Sequence, residues 1–169
     1  MTQGNSMWHD KPEVKIGDYG EELVRSFVES KKYICYKAVT DRAHLVDYFI
    51  FRNDKGVIAA EVKTKPRRRK YPDTGFDSRS YEAYKKFTDE HNMKMFIFFV
   101  DTAERSIYGN FLHKLDEIHK TERKVYPLEE QTKDGRVIRY YSLDSMIHIT
   151  DLSEDEIKTL EGLRNGDLT

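Results

Sequence analysis

The stretch from Leu45 to Thr64 reads LVDYFIFRNDKGVIAAEVKT, and its reading decides the fold. Two runs rich in β-branched and aromatic residues, Leu45 to Phe51 and Val57 to Thr64, flank Asn53-Asp54-Lys55-Gly56, which has the composition of a hairpin turn. The second run ends on Glu61-Val62-Lys63. Glu-x-Lys alone says little in so charged a chain, since Glu13-Val14-Lys15, Glu29-Ser30-Lys31, Glu122-Arg123-Lys124 and Glu156-Ile157-Lys158 match it too. Only the instance at Glu61 closes an apolar strand, and a charged pair in that position needs a reason.

Strand parity supplies one. Residues two apart share a face, so Glu61 and Lys63 point the same way. A three-residue loop with Gly56 left-handed would pair Asn53 with Val57, Phe49 with Glu61 and Asp47 with Lys63, placing all three charged groups on one face. A two-residue loop would send Asp47 to the other side. The Asn-Asp-Lys-Gly sequence favours the first. Carboxylates about 5 Å apart repel by roughly 3 kcal/mol at an effective dielectric of 20, so they require a proton, a cation or solvent between them. Oxygen donors select a hard ion such as Mg²⁺ or Mn²⁺. The plainer alternative is a cross-strand Asp47–Lys63 salt bridge, worth about 0–1 kcal/mol if exposed.

Upstream, Ile16, Gly20, Leu23, Val24, Phe27 and Val28 recur at three- and four-residue spacing, predicting a helix that ends near Lys32. Glu21 lies at the border of its apolar stripe, in line with Gly17, Val24 and Val28, and can face the sheet. Glu22 shares a solvated row with Asp18, Arg25 and Glu29. Tyr33 to Val39 reads as a strand, which makes a meander of three. Downstream, Asp77 is an N-cap candidate for a helix carrying Tyr81, Tyr84 and Phe87. Lys94 to Val100 reads as a strand buried on both faces. Ser106 to Asn110 (strand), Phe111 to His119 (helix), a hairpin from Lys124 to Tyr141 and a final helix over Ser153 to Leu163, opened by a capping box, complete the expectation. The domain parse is a tail over 1–12, an α/β core over 13–120 and a C-terminal α+β extension over 121–169.

Composition narrows the function classes. With 38% hydrophobic and 12% aromatic residues the chain is too apolar for a disordered one, and it can bury a core. The longest apolar run, Met95 to Val100, is far too short for a bilayer span, and no basic-then-apolar leader opens the sequence, so no membrane partner is expected. A lone cysteine, Cys35, forms no intramolecular disulfide and reads as a small buried hydrophobe, which points to a reducing, cytoplasmic address. Net charge is −1, yet Lys63 to Lys70 reads KTKPRRRK. The basic loop formed by Lys65, Arg67, Arg68, Arg69 and Lys70 is either a phosphate-binding element or a solvated turn. Arg79, Tyr81, Tyr84 and Lys85 on the next helix could reach the same strand, although Tyr81 and Tyr84 read more readily as core. The six histidines form no His-x-x-x-His pair; His44, three residues before Asp47, is the one near the hairpin.

These motifs, in this order, resemble the PD-(D/E)XK nucleases, in particular the branch of archaeal Holliday-junction resolvases. Lys15-Ile16-Gly17-Asp18-Tyr19-Gly20-Glu21 looks like the family's first-helix motif, Asp47 its metal-binding aspartate, and Glu61-Val62-Lys63 its (D/E)-x-K. Val46 stands where the family name has proline. The resemblance covers about residues 13 to 101. It implies a restriction-endonuclease-like core of helix, three-stranded antiparallel meander, helix and strand. It further implies a divalent metal held by Asp47, Glu61 and the Val62 carbonyl, with Glu21 at a second ion or its water shell, and Lys63 acting on the attacking water. The implied activity is Mg²⁺-dependent hydrolysis of DNA phosphodiesters, on branched or structured DNA in repair or recombination, by a monomer or a homodimer. The rival is a non-catalytic nucleic-acid- or protein-binding module on the same scaffold.

Overall fold

The computed structural model describes residues 11–37, 44–121 and 129–167. The expected tail over 1–10, the end of the first strand beyond Lys37 and the start of the hairpin at Lys124 lie outside them. Helix α1 (Pro12–Ser30) begins one turn earlier than the periodicity predicts, with Pro12 in its first turn, where the missing N–H costs no helical bond. It buries Gly20, Leu23, Val24 and Val28, the stripe read from the sequence.

Strands β1 (Ile34–Lys37), β2 (Tyr48–Phe51) and β3 (Val57–Thr64) form the antiparallel meander. A further strand, β4 (Asp73–Asp77), follows the basic loop and was not foreseen; its Asp-Thr-Gly-Phe-Asp sequence lacks a run of β-formers and takes its pairing from a distant strand. Helix α2 (Ser78–His91) is capped as expected by Asp77, whose carboxylate accepts from Arg79 N at 2.9 Å. Then come β5 (Met95–Asp101), β6 (Ser106–Phe111), α3 (Leu112–Thr121), β7 (Glu129–Gln131), β8 (Val137–Ser142), β9 (Ile147–Asp151) and α4 (Glu154–Asn165). Ser153 and Glu156 close the capping box of α4.

The main sheet has the order β1-β2-β3-β5-β6-β9, antiparallel throughout except for the parallel β3–β5 pair, and β4-β8-β7 form a second, antiparallel sheet. Residues 121–169 thus contribute an edge strand, β9, to the main sheet and two strands to the small one. On one face of the main sheet, Leu23, Val24 and Val28 of α1 and Leu160 of α4 pack on Tyr48, Ile50, Ile58 and Phe98. On the other, Tyr81 and Tyr84 of α2, Leu115 of α3, and Phe76 and Tyr141 of the small sheet pack on Ala59, Ile97 and Phe99. Strand β5 is buried on both sides, as its MFIFFV run predicts. Gly20 sets the close approach of α1 to β3: a Cβ there would lie 1.8 Å from Thr64 Oγ1, whereas Gly17 faces open space.

The turn after β2 differs from expectation. Phe51 pairs with Val57, leaving five residues, Arg52 to Gly56, in the connection, with a 3₁₀ turn over Asn53–Lys55 and both Asn53 and Gly56 at positive φ. The register is therefore shifted by two, Tyr48 with Ala60 and Phe49 with Ala59, and the expected Asp47–Lys63 pair does not form: Asp47 lies just before the first pair of the ladder, and its N–H donates to the Ala60 carbonyl. Three- and five-residue loops are both odd, so the parity within the paired strands is as expected.

Candidate active site

Asp47 stands where the β2–β3 ladder ends. Its N–H donates to the Ala60 carbonyl (3.0 Å), and its Oδ2 accepts from the Val62 N–H (2.7 Å). Glu61 is near enough to act on it electrostatically, and both residues are buried, at 8% and 7% exposure. Glu61 Oε1 accepts from the Tyr84 hydroxyl (2.7 Å) and from Lys63 Nζ (2.6 Å), and the Lys63 ammonium lies 5.5 Å from the Tyr84 ring centroid. The salt bridge at this hairpin is thus Lys63–Glu61 within one strand, not Asp47–Lys63 across two.

Electrostatics follow from that placement. Burial, then the Glu61 charge, push the Asp47 carboxyl up to about 6, against the pull of the Val62 amide and Lys63. Burial opposes the charge on Lys63, but the Glu61 carboxylate more than offsets it and holds the ammonium above its ordinary range. Lys65, two residues on along the strand direction, behaves oppositely: burial and the neighbouring Lys63 charge bring it down to about 8, with only Asp73 acting the other way. Glu21 is raised by burial and, in part, by the Asp47 charge, which places it in the same electrostatic neighbourhood. Its carboxylate, however, accepts from Lys37 Nζ at 2.6 Å. Among the described residues no group of three or more His, Cys, Asp or Glu side chains is gathered closely enough to hold a metal ion.

Lys37 escaped the sequence reading, and Tyr84, which that reading let reach this strand, was favoured there as core. Lys37 sits in a strand whose alternation predicts only which face it takes. Tyr84 reads as core by helical spacing and is core, yet its hydroxyl end reaches Glu61.

The basic loop divides. Arg67 donates to Asp101 (2.9 Å) and reaches Glu104 (3.2 Å). Arg68 pairs with the fully buried Asp73 and with Glu130, its guanidinium between the rings of Tyr71 (4.6 Å) and Tyr140 (3.6 Å). Arg69 and Lys70 are the exposed members. Where the sequence offered a run of five phosphate contacts, the structure commits two to carboxylates: Arg67 to Asp101, thirty-four residues on, and Arg68 to Asp73, only five residues on but buried by strand pairing that sequence spacing does not show. Tyr81 is likewise engaged inside: its hydroxyl donates to Asp116 (2.8 Å) and Arg139 stacks over its ring (4.0 Å). Arg79 is exposed beside its capping Asp77, and Lys85 pairs with Asp89 one helical turn on. His44 is exposed, and its interaction with Asp47 is a minor influence acting to lower the Asp47 carboxyl.

No family model matches the chain, and no curated protein does. Among solved structures it is similar to the 1.6 Å structure of Archaeoglobus fulgidus Hjc, a Holliday junction resolvase from an archaeal hyperthermophile. Identity is 10%, the TM-score 0.49, and the likeness covers 79% of this chain and 91% of that one. The functional reading therefore rests on the site residues themselves. No helix among the described residues is long and apolar enough to cross a membrane.

Proposed function

We propose that this chain is a metal-dependent endonuclease that hydrolyses DNA phosphodiesters, with Asp47, Glu61 and Lys63 at its centre and Glu21 at the margin. The observation that carries the reading is two buried carboxylates close enough to repel each other, with the Asp47 carboxyl raised to about 6 and, among the described residues, the Lys63 ammonium beside Glu61. Such a pair is short of positive charge, and a donor set of carboxylate and backbone carbonyl oxygens suits Mg²⁺ or Mn²⁺. Asp47, Glu61 and the Val62 carbonyl would hold the ion, with Glu21 able to join on leaving Lys37. When bound, the ion supplies Lewis-acid polarisation of the phosphate oxygens.

The chain's own residues do the rest. Hydrolysis adds a water oxygen to phosphorus and breaks the P–O3′ bond, leaving a 5′ phosphate and a 3′ hydroxyl. Lys63, held ionised by Glu61, acts by stabilising charge that develops on the phosphate and by positioning the water through its N–H donors. Tyr84 fixes Glu61 in place. Arg69 and Lys70 would take substrate phosphates flanking the site. One site cuts one strand, so duplex cleavage takes two copies or two encounters.

A binding module without hydrolysis is the second reading, favoured by the commitment of Glu61 to Lys63 and of Glu21 to Lys37. Incubation with supercoiled, linear and four-way-junction DNA, with and without Mg²⁺, separates the two. Cleavage only with the metal, lost in Lys63→Ala while DNA binding stays within a few-fold, is the expected result; loss of positioned electrostatic stabilisation of this kind costs about 10²–10³ in rate. DNA binding with no cutting of any substrate in Mg²⁺ or Mn²⁺ sinks the nuclease reading and leaves the module.

A further inference from the structure

The opposite face of the main sheet carries a feature the nuclease reading does not use. Beyond the C-terminal end of α1, the sheet is left partly uncovered, and a cavity of about 390 Å³ opens between that end and strands β2, β3, β5, β6 and β9. Its walls are aromatic and aliphatic, chiefly Phe27, Tyr33, Phe96, Phe98 and Phe111, with Ile147, 54% exposed, at the mouth. Parity puts this cavity behind the sheet relative to Asp47 and Glu61: Ile50 and Ile58, which pair across β2–β3 and line it, alternate with Phe49 and Ala59 on the carboxylate side.

Its charged lining has one sign. Lys31, Arg52, Lys55 and His148 border it, and none of the described residues lining it is acidic. Lys31 and Arg52 lie over the rings of Phe27 (5.1 Å) and Phe111 (5.8 Å), so the cations rest against the apolar wall. Arg52 gives one terminal N–H to the Lys55 carbonyl (2.8 Å), while its Nε is buried with no hydrogen-bond partner among the described residues. A guanidinium N–H shut away from water and left unmatched is a costly arrangement that native proteins rarely keep without cause. His148 is the one rim group already engaged, with Asp151 (2.8 Å).

We propose that this cavity binds a small amphipathic anion: an apolar body of medium acyl length or one to two rings, carrying a carboxylate or phosphate that accepts from Arg52 and lies among Lys31, Lys55 and His148. The size matches small-molecule sites, and it is too small to seat a stable protein partner by itself. The apolar walls supply affinity without direction, and the guanidinium, with its fixed fork of donors, selects the head group.

Calorimetric titration of the full chain with decanoate, decyl phosphate, decanol and decyltrimethylammonium tests this, with amide chemical shifts reporting the location. The anions should bind at least about tenfold more tightly than decanol, and the cation should not bind measurably. Arg52→Met, which keeps an apolar stem, should abolish the preference for the anion while leaving decanol unchanged. Ile147→Asp, at a position exposed enough to spare the fold, should weaken all anionic ligands. Stronger binding by decanoate than by decyl phosphate, or the reverse, tells which head group the rim prefers. Equal affinity for decanoate and decanol, full decanoate binding by Arg52→Met, shifts mapping to the Asp47 side, or no binding of either anion up to about 1 mM overturns the proposal. None of these readouts depends on DNA cleavage.

Discussion

Two pairs of buried carboxylates in this protein are treated in opposite ways. Asp73 and Asp101, at 0% and 1% exposure, each have their own guanidinium, Arg68 and Arg67. Asp101 also accepts from the backbone amides of Ala103 (3.0 Å) and Glu104 (3.2 Å), closing the β5–β6 turn. Asp47 and Glu61, hardly more exposed, repel each other with one ammonium beside them, and that ammonium is on Glu61. Among the described residues, the Asp47 carboxylate accepts from a single backbone N–H, that of Val62. The first pair is matched to its charge and locks the basic loop and the small sheet onto the core. The second is left short of charge. Burial of an acid therefore does not single out the proposed site in this fold; what distinguishes Asp47 and Glu61 is burial without a matching cation for each among the described residues.

The comparison breaks most sharply at Arg68. Replacing it by methionine leaves the Asp73 charge buried and alone, and should cost about 3–5 kcal/mol of stability in urea melts. Adding Asp73→Asn should restore a large part of that loss. A cost under about 1 kcal/mol would mean that Arg68 is as dispensable as an exposed pair, and the contrast between the two pairs would fail.

Asp47→Asn should do the reverse. The Asp47 carboxyl titrates near 6 in the fold against an ordinary 3.8, so between those values the native state holds more proton than the unfolded chain. Stability then falls as pH rises through that window, and the whole cost is present at pH 7, up to about 3 kcal/mol for a shift of this size. The asparagine variant should be more stable than the parent at pH 7 and indistinguishable from it below pH about 4, while losing cleavage. Thermal melts across pH 3.5–8 check the sign. Millimolar Mg²⁺ should raise the melting temperature of the parent and not of the variant, since only a ligand of the native state stabilises it. A variant less stable at every pH would place Asp47 with Asp73, among the structural acids.

Much of this contrast was legible in the sequence on one side and not on the other. Glu61 and Lys63 share a face of β3 because alternation dictates it, while Asp47 was expected on that face from a register that came out two residues away and in fact stands just before the first β2–β3 pair. Alternation and helical periodicity are local quantities, and they likewise located α1, α2 and the doubly buried β5. The partners of Arg67, Asp101 and Glu104, lie at or just beyond the end of β5, more than thirty residues on, and Asp73, the partner of Arg68, is buried by the pairing of β4 with β8, some sixty residues further on, for which no local pattern exists. Strand β9 was missed for a related reason: at the edge of the main sheet its Ile147 and His148 stay exposed, so the sequence there lacks the buried alternation that announces an interior strand. The Glu21–Lys37 pair could not be read either, because which cation reaches an acid at a helix border depends on where the first strand's edge falls.

The mildest test concerns the two basic residues the carboxylates did not take. Arg69 and Lys70 are exposed, next to arginines that are not, so the loop offers an internal control. Changing both to glutamine should leave the melting curve within about 0.5 kcal/mol of the parent, as surface substitutions do. If each meets one phosphate, the slope of log K against log salt for duplex DNA should shrink by about 1.8, because roughly 0.9 of a counterion is released per phosphate neutralised. Arg67→Gln should show the complementary pattern, with stability lost through Asp101 and the salt slope nearly unchanged. Were the slope to respond to Arg67 and not to Arg69 and Lys70, the ion pair with Asp101 would have to open on binding DNA, and the division of the loop into holding and contacting halves would be replaced by a loop that exchanges one carboxylate partner for a phosphate.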